Sequence, residues 1–387
     1  MLHKMRLLTP GPTPLPERVR LAMARDMIHH RKPEFKTLMH DVQEKLQVLF
    51  GTAGPVIPLT ASGSGAMTAA VANLCAPGET VVVVAGGKFG ERWEHICKTC
   101  GVTVITLTVP WGEGVEVAAV AKVLDENPQA SAVLVQVSET STGAMHPVRE
   151  LAAVTRERGV LLIADGVSSV SLSPCPMDAW GVDCLLTGSQ KGLLLPPGLS
   201  FIALSPKAWA KAEKQECRNF YFNLVQERDN TLKNQTNFTP AINLLYGLQE
   251  SLDMLLENGL EALYAKQWAV TSMTRTGLTA LGFELLAKTH YAWGLTSFKL
   301  PAGVSSEPLL AHAAEKYGVV LAAGMGHLKD STVRFGHMGW VDFSDIAAGL
   351  YAVSASFCAL GGIVSTRDYL EQALAAYEKA LAEPYAL

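Results

Sequence analysis

Between residues 56 and 204 the sequence alternates short apolar runs with helix-like segments of about ten residues. No other feature restricts the fold as much. The apolar runs are Val56–Leu59, Thr80–Ala85, Val102–Val109, Ala132–Val137, Val160–Ala164, Asp183–Leu186 and Leu199–Leu204. Helical patterns fall at Gly65–Leu74, Gly90–Cys100, Val115–Asn127 and Pro147–Arg158. A strand that is apolar along its whole length must be covered on both faces, so the pattern predicts an α/β fold: a mostly parallel sheet sandwiched by helices. With 387 residues, 49% of them hydrophobic, the chain exceeds what one core usually serves.

Three regions are expected. Residues 1–16, with Pro10, Pro12, Pro14 and Pro16, form an extended arm. Residues 17–260 form the large domain. They open with helical patterns from Glu17 and from Glu34 to about Phe50, and one long helix is expected at Ile242–Lys266. Residues 261–387 form a smaller α+β domain, whose last helix has a capping-box-like start at Ser365-Thr366-Arg367-Asp368.

Composition excludes several functions. A net charge of −4 offers no footprint for nucleic acid. No apolar run approaches the ~18 residues of a membrane span. Lys4 and Arg6 lead into the Pro-rich arm with no apolar signal segment, and the seven cysteines are an odd number. A cytoplasmic protein with reduced thiols is expected. Cys97-Lys98-Thr99-Cys100 reads as two helix-face thiols, and no metal site is expected.

In a sheet of this kind ligands bind at the carboxyl ends of the strands. The glycine cluster Ser62-Gly63-Ser64-Gly65-Ala66-Met67-Thr68 lacks the last glycine of a dinucleotide fingerprint, and Gly87-Lys88-Phe89 lacks the residues of a P-loop. Ser62 also breaks the pattern of a hydrolase nucleophile elbow. A strand, a Gly/Ser turn and a helix still make a phosphate site or an ordinary turn. Two further strand ends favour the phosphate. Val160–Ala164 runs into Asp165, and Asp183–Leu186 runs into Thr187-Gly188-Ser189-Gln190-Lys191-Gly192. A phosphate cradle, a carboxylate and a lysine on one edge are the parts that pyridoxal 5′-phosphate requires.

The segment Thr187–Gly192 followed by Pro196-Pro197-Gly198, the stretch Glu139-Thr140-Ser141-Thr142-Gly143 and the arm Leu8-Thr9-Pro10-Gly11-Pro12-Thr13 are together similar to the class V (fold type I) aminotransferases, in particular the alanine–glyoxylate and serine–pyruvate group. The resemblance runs nearly end to end. It implies Lys191 as the amine that bonds the cofactor and later moves a proton, and Asp165 as the partner of its ring nitrogen. Ser62, Gly63, Ser64 and Gln190 would hold the phosphate, Thr140 the ring oxygen, and Phe89 would stack on the ring where many members carry Trp. Arg334 would grip the substrate carboxylate, with backbone contact from Gly11. It further implies a homodimer with the site at the interface. Thr236 and Thr239 are the candidates for the partner's phosphate contacts, in a segment without the family's usual Tyr.

The activity implied is a ping-pong transamination. Dicarboxylic donors would need a second cation, for which His30 and Arg31 are the only clustered candidates near the arm; they also read as a solvated cluster. The expected substrates are therefore alanine or serine with glyoxylate or pyruvate. Aspartate, 2-aminoethylphosphonate or ureidoglycine are alternative donors. A cysteine desulfurase-type lyase would need a mobile thiol, and Cys358 sits in an apolar stretch that reads as buried helix. A non-catalytic subunit of the same fold is the last alternative.

Overall fold

A computed structural model describes residues 4–383 and 385. Its main sheet has seven strands: β1 (Val56–Leu59), β2 (Thr80–Ala85), β3 (Thr103–Thr108), β4 (Ala130–Gln136), β5 (Leu161–Asp165), β6 (Cys184–Gly188) and β7 (Ser200–Leu204). They lie in the order β1-β7-β6-β5-β4-β2-β3. Six point the same way, and β7 runs against both neighbours.

The unbroken apolar runs have a simple cause. Val82, Val84, Val133, Val135 and Leu162 enter one apolar cluster, while Val81, Val83, Leu134 and Ile163 enter another. Successive residues of a strand face opposite sides, and both sides are covered by helices. Each buried Val contributes about 1.5–3 kcal/mol. Only β3, at the edge, is largely half-buried or exposed. Helix α1 (Gly63–Leu74) follows β1, and α2 (Lys88–Thr99) follows β2.

A second sheet is antiparallel and joins Glu284–Leu285, Leu295–Lys299, Thr332–Gly336 and Ala322–Ala323 in that order. The extended arm is not free. Arg6–Leu7 pairs with Val319–Val320, and the Leu8 carbonyl accepts the Gly336 N–H at 2.8 Å. The arm thus leaves the second sheet and crosses to the edge of the first.

Three local expectations are corrected. The helix expected over Ile242–Lys266 is two helices, Ile242–Leu256 and Gly259–Ala280. Gly259 takes a φ of +78°, which breaks the helical ladder and suits only glycine well. The Ser365–Asp368 segment closes no capping box. The Thr366 hydroxyl accepts the Asp368 N–H instead, and the helix starts at Tyr369. A true capping box forms between Asp342 and Asp345, ahead of helix Phe343–Ala359. Cys358 is exposed, not buried: that helix buries Ser356 and Phe357 and turns its last residues outward. Among the described residues no helix is long and apolar enough to cross a membrane.

Candidate active site

Six strands in one direction bring six carboxyl ends to one edge. β1 delivers Ser62, β2 delivers Phe89, β4 delivers Glu139 and Thr140, β5 ends on Asp165, and β6 runs into Gln190 and Lys191. The topology therefore gathers residues more than a hundred positions apart.

Asp165 is buried, and one of its oxygens accepts the Val167 N–H at 2.8 Å. Burial pushes its carboxyl up to about 6, against the pull of that N–H, and the nearby Glu139 carboxylate adds to the rise. A cation beside it would reverse the shift. Lys191 is buried too, and its ammonium donates to the Pro10 carbonyl of the arm. Thr13 clamps the same turn: its hydroxyl donates to the Lys191 carbonyl at 3.1 Å and its N–H to the Gln190 carbonyl at 3.2 Å. Burial first, and Arg334 second, lower Lys191 to about 8. Such an amine gives up its proton near neutral pH. Gly11 has to be glycine here: its φ is +111°, and a Cβ would stand 2.7 Å from the Lys191 Nζ.

The other end of the edge is built for an anion. Ser62 is the extended cap of α1, and its side chain makes no capping bond. The first turn of α1 leaves backbone N–H groups without helical partners. Gly63 lets this turn approach β5, since a Cβ there would stand 2.8 Å from Val167 Cγ2. The Gln190 Oε1 is buried without a partner. It converges with Gly63: one Cβ placed on Gly188 would lie 2.9 Å from that oxygen and 3.5 Å from the Gly63 N. Ser64 Oγ accepts from Arg92 at 2.9 Å. Phe89, half-buried, lies under the Arg92 guanidinium at 4.7 Å from the ring centre.

Thr140 and Glu139 follow β4, the neighbour of β5 in the sheet. The Thr140 hydroxyl pairs with that of Ser168 at 2.5 Å. The wholly buried Glu139 carboxylate accepts from the N–H groups of Phe89 (3.1 Å) and Gly90 (3.0 Å) and from the Ser141 hydroxyl (2.6 Å). It thereby caps α2 in place of Gly87, which has no side chain to do so. Burial nevertheless raises its pKa. Arg334 comes from the second sheet. Its Nε donates to the Ala323 carbonyl at 2.8 Å and its Nη1 to the Thr140 carbonyl at 3.2 Å. Burial lowers its pKa.

The sequence-predicted residues divide accordingly. Ser62, Gly63, Ser64, Phe89, Thr140, Asp165, Gln190, Lys191, Gly11 and Arg334 come to one edge. Thr236 and Thr239 do not join Lys191 within the chain. Thr236 is buried with its hydroxyl donating to the Phe238 carbonyl at 2.7 Å, and Thr239 is exposed. Arg31 is tied to the same segment, to the carbonyls of Thr236 (2.8 Å) and Asn237 (3.1 Å). Sequence reasoning gave no role to Glu139, Arg92, Val167 or Pro10. Arg92 had a signal, since it lies three residues past Phe89 and so on the same helix face. Glu139 had one as well, a carboxylate just past a buried strand.

The buried carboxylate of Asp165, the buried amine of Lys191 and the uncapped helix end fit pyridoxal 5′-phosphate. The comparisons with known proteins agree. Residues 10–348 match the family model described as aminotransferase class-V. The small subunit of a soluble hydrogenase from a Synechococcus strain is 36% identical over 93% of this chain and 95% of its own. An L-aspartate–glyoxylate aminotransferase of Paracoccus denitrificans is 31% identical over 98% of this chain and 99% of its own. For a serine–glyoxylate aminotransferase of Methylorubrum extorquens the figures are 32%, 95% and 96%. Among solved structures, the pyridoxamine–pyruvate aminotransferase of Mesorhizobium loti superposes with a TM-score of 0.93 at 27% identity, over 98% of each chain. This chain therefore belongs to the class V aminotransferases, fold type I enzymes that use pyridoxal 5′-phosphate.

Proposed function

We propose that this aminotransferase moves the amino group of a small uncharged amino acid, alanine or serine, to glyoxylate or pyruvate by a ping-pong route. One observation carries the choice of donor. Arg31, the cation that a dicarboxylic donor would need, is held by the backbone of residues 236–237. Arg334 takes the α-carboxylate with its planar fork, which Lys could not reproduce. The bound cofactor supplies the sink for the electrons left when the Cα–H bond breaks. The Nζ of Lys191 takes that proton, for which its lowered pKa suits it. Asp165 would pair with the protonated ring nitrogen of the cofactor, and Ser62, Gly63, Ser64 and Gln190 would hold the phosphate. Thr140 and Phe89 position the ring, and Gly11 lets the arm close over Lys191.

The serine–glyoxylate relative supports the small donor. The aspartate–glyoxylate relative supports a second reading in which aspartate is the donor. Single amino acids added to the yellow holoprotein decide between them. Alanine or serine should discharge the colour; bleaching by aspartate or glutamate alone would overturn the first reading.

The protein is further read as a homodimer in which Thr236 or Thr239 of one copy completes the phosphate site of the other. Apolar side chains exposed beside that segment support this: Phe220 is 83% exposed and Leu232 66%. Light scattering on the purified protein checks it. The division of the chain at about residue 260 is also part of the proposal, supported by the break between the two helices at Gly259. None of the seven cysteines is paired, which suits the cytoplasm.

A further inference from the structure

We infer that Arg92 supplies the positive charge that this chain brings to the cofactor phosphate. The inference rests on the proposal that Ser62–Gly65 is the phosphate cradle, and it deepens that reading. A phosphate monoester carries about −1.5 to −2 charges at neutral pH. The Ser62–Gly65 turn contains no cation. Arg92 reaches it from the neighbouring helix and donates to Ser64 Oγ at 2.9 Å.

Two features single out this guanidinium. First, its one hydrogen-bond partner among the described residues is that hydroxyl, and no carboxylate pairs with it. Its helix neighbour Lys88, by contrast, pairs with Glu91 at 2.5 Å. Second, Arg92 stands beside the first turn of α1, the positive end of a twelve-residue helix. A cation there is repelled unless an anion lies between it and the helix. Two positive features facing one spot are stable together when a dianion fills the space. The guanidinium also covers Phe89, so one residue links the phosphate end of the site to its aromatic wall.

The test separates charge from packing. Apoprotein is titrated with pyridoxal 5′-phosphate and with pyridoxal, which lacks the phosphate, and the absorbance of each complex is followed. Both ligands bond Lys191, so the ratio of their affinities reports the phosphate alone. The wild type should prefer the phosphorylated form by about 10²-fold or more. Arg92→Met keeps most of the packing, and Arg92→Gln keeps a donor for Ser64 without the charge. In each the ratio should fall about tenfold or more, while pyridoxal affinity changes little. If Arg92→Met does not melt cooperatively, Arg92→Gln alone gives the reading. An equal loss for both ligands would show that Arg92 only props Phe89, and an unchanged ratio would show no role in phosphate binding; either overturns the inference. A wild type without preference for the phosphate would instead sink the cradle reading itself.

Discussion

Two regions of this molecule treat their charged groups in opposite ways. At the carboxyl edge of the main sheet, Asp165 and Lys191 keep free hydrogen-bonding capacity, and burial displaces both pKa values toward neutrality. In the segment from Gln235 to Asn237, Arg31 satisfies carbonyl after carbonyl and Thr236 satisfies Phe238. Unsatisfied buried charges are costly and persist where a ligand completes them. Satisfied groups hold a loop in shape. Under the proposed function Asp165 and Lys191 are the groups that do chemistry, and Arg31 is one that holds a loop.

The largest effect should follow removal of the central group of the first region. Lys191→Ala should lower turnover about 10⁴-fold or more while the protein still binds pyridoxal 5′-phosphate; near-normal turnover would refute the role of Lys191. Replacing Asp165 by Asn keeps the shape and removes the charge. A loss of about 10- to 100-fold in kcat is expected, with KM for the amino donor changed far less. An unaltered kcat would mean that the carboxylate is only structural.

A smaller effect concerns stability under the same edge. His146 is buried, its Nδ1 accepts the Val115 N–H at 3.0 Å, and burial lowers its pKa to about 4. The unfolded chain binds this proton near pH 6.5 and the folded one near 4, so the stability is fully present above pH 6.5. It is lost as pH falls from there toward 4, by an amount on the order of a few kcal/mol. Urea midpoints measured from pH 7 to pH 4.5 should fall more steeply in the wild type than in His146→Gln. Equal slopes would contradict the assignment.

The smallest effect belongs to the second region. Arg31→Ala should cost about 1–2 kcal/mol of stability and leave kcat/KM for alanine within about threefold. Specific loss of activity with aspartate would instead show that Arg31 serves a dicarboxylic donor, and would dissolve the contrast between the two regions.

The same contrast explains what could be read in advance. Asp165 was legible because it directly follows an apolar run, and Lys191 because it lies a few residues past another, where a charge is out of place unless it has a purpose. Ser62–Gly65 was legible as a turn between a strand and a helix, and Arg334 through the resemblance of its segment. The role of Glu139 is not legible in the sequence, because its work is to cap α2 across 49 residues of chain. The single helix expected over Ile242–Lys266 failed for a local reason: its apolar pattern continues through Gly259, whose positive φ interrupts the ladder. Cys358 failed because apolar neighbours in sequence do not say which face of a helix a thiol occupies.

By itself, then, the sequence determined the layered α/β sheet, the cofactor and the residues at the strand ends. Those follow from periodicity and from the rule that parallel strands present their carboxyl ends on one edge. Only the tertiary structure decided that the arm lays Pro10 on Lys191, that Thr13 clamps the same turn and that Arg31 is spent on the carbonyls of residues 236–237. Only it set Arg92 against Ser64 without a counter-ion. Each of these contacts joins residues far apart along the chain, or from separate helices and turns, and the distance between such groups is fixed by packing and not by their spacing in sequence.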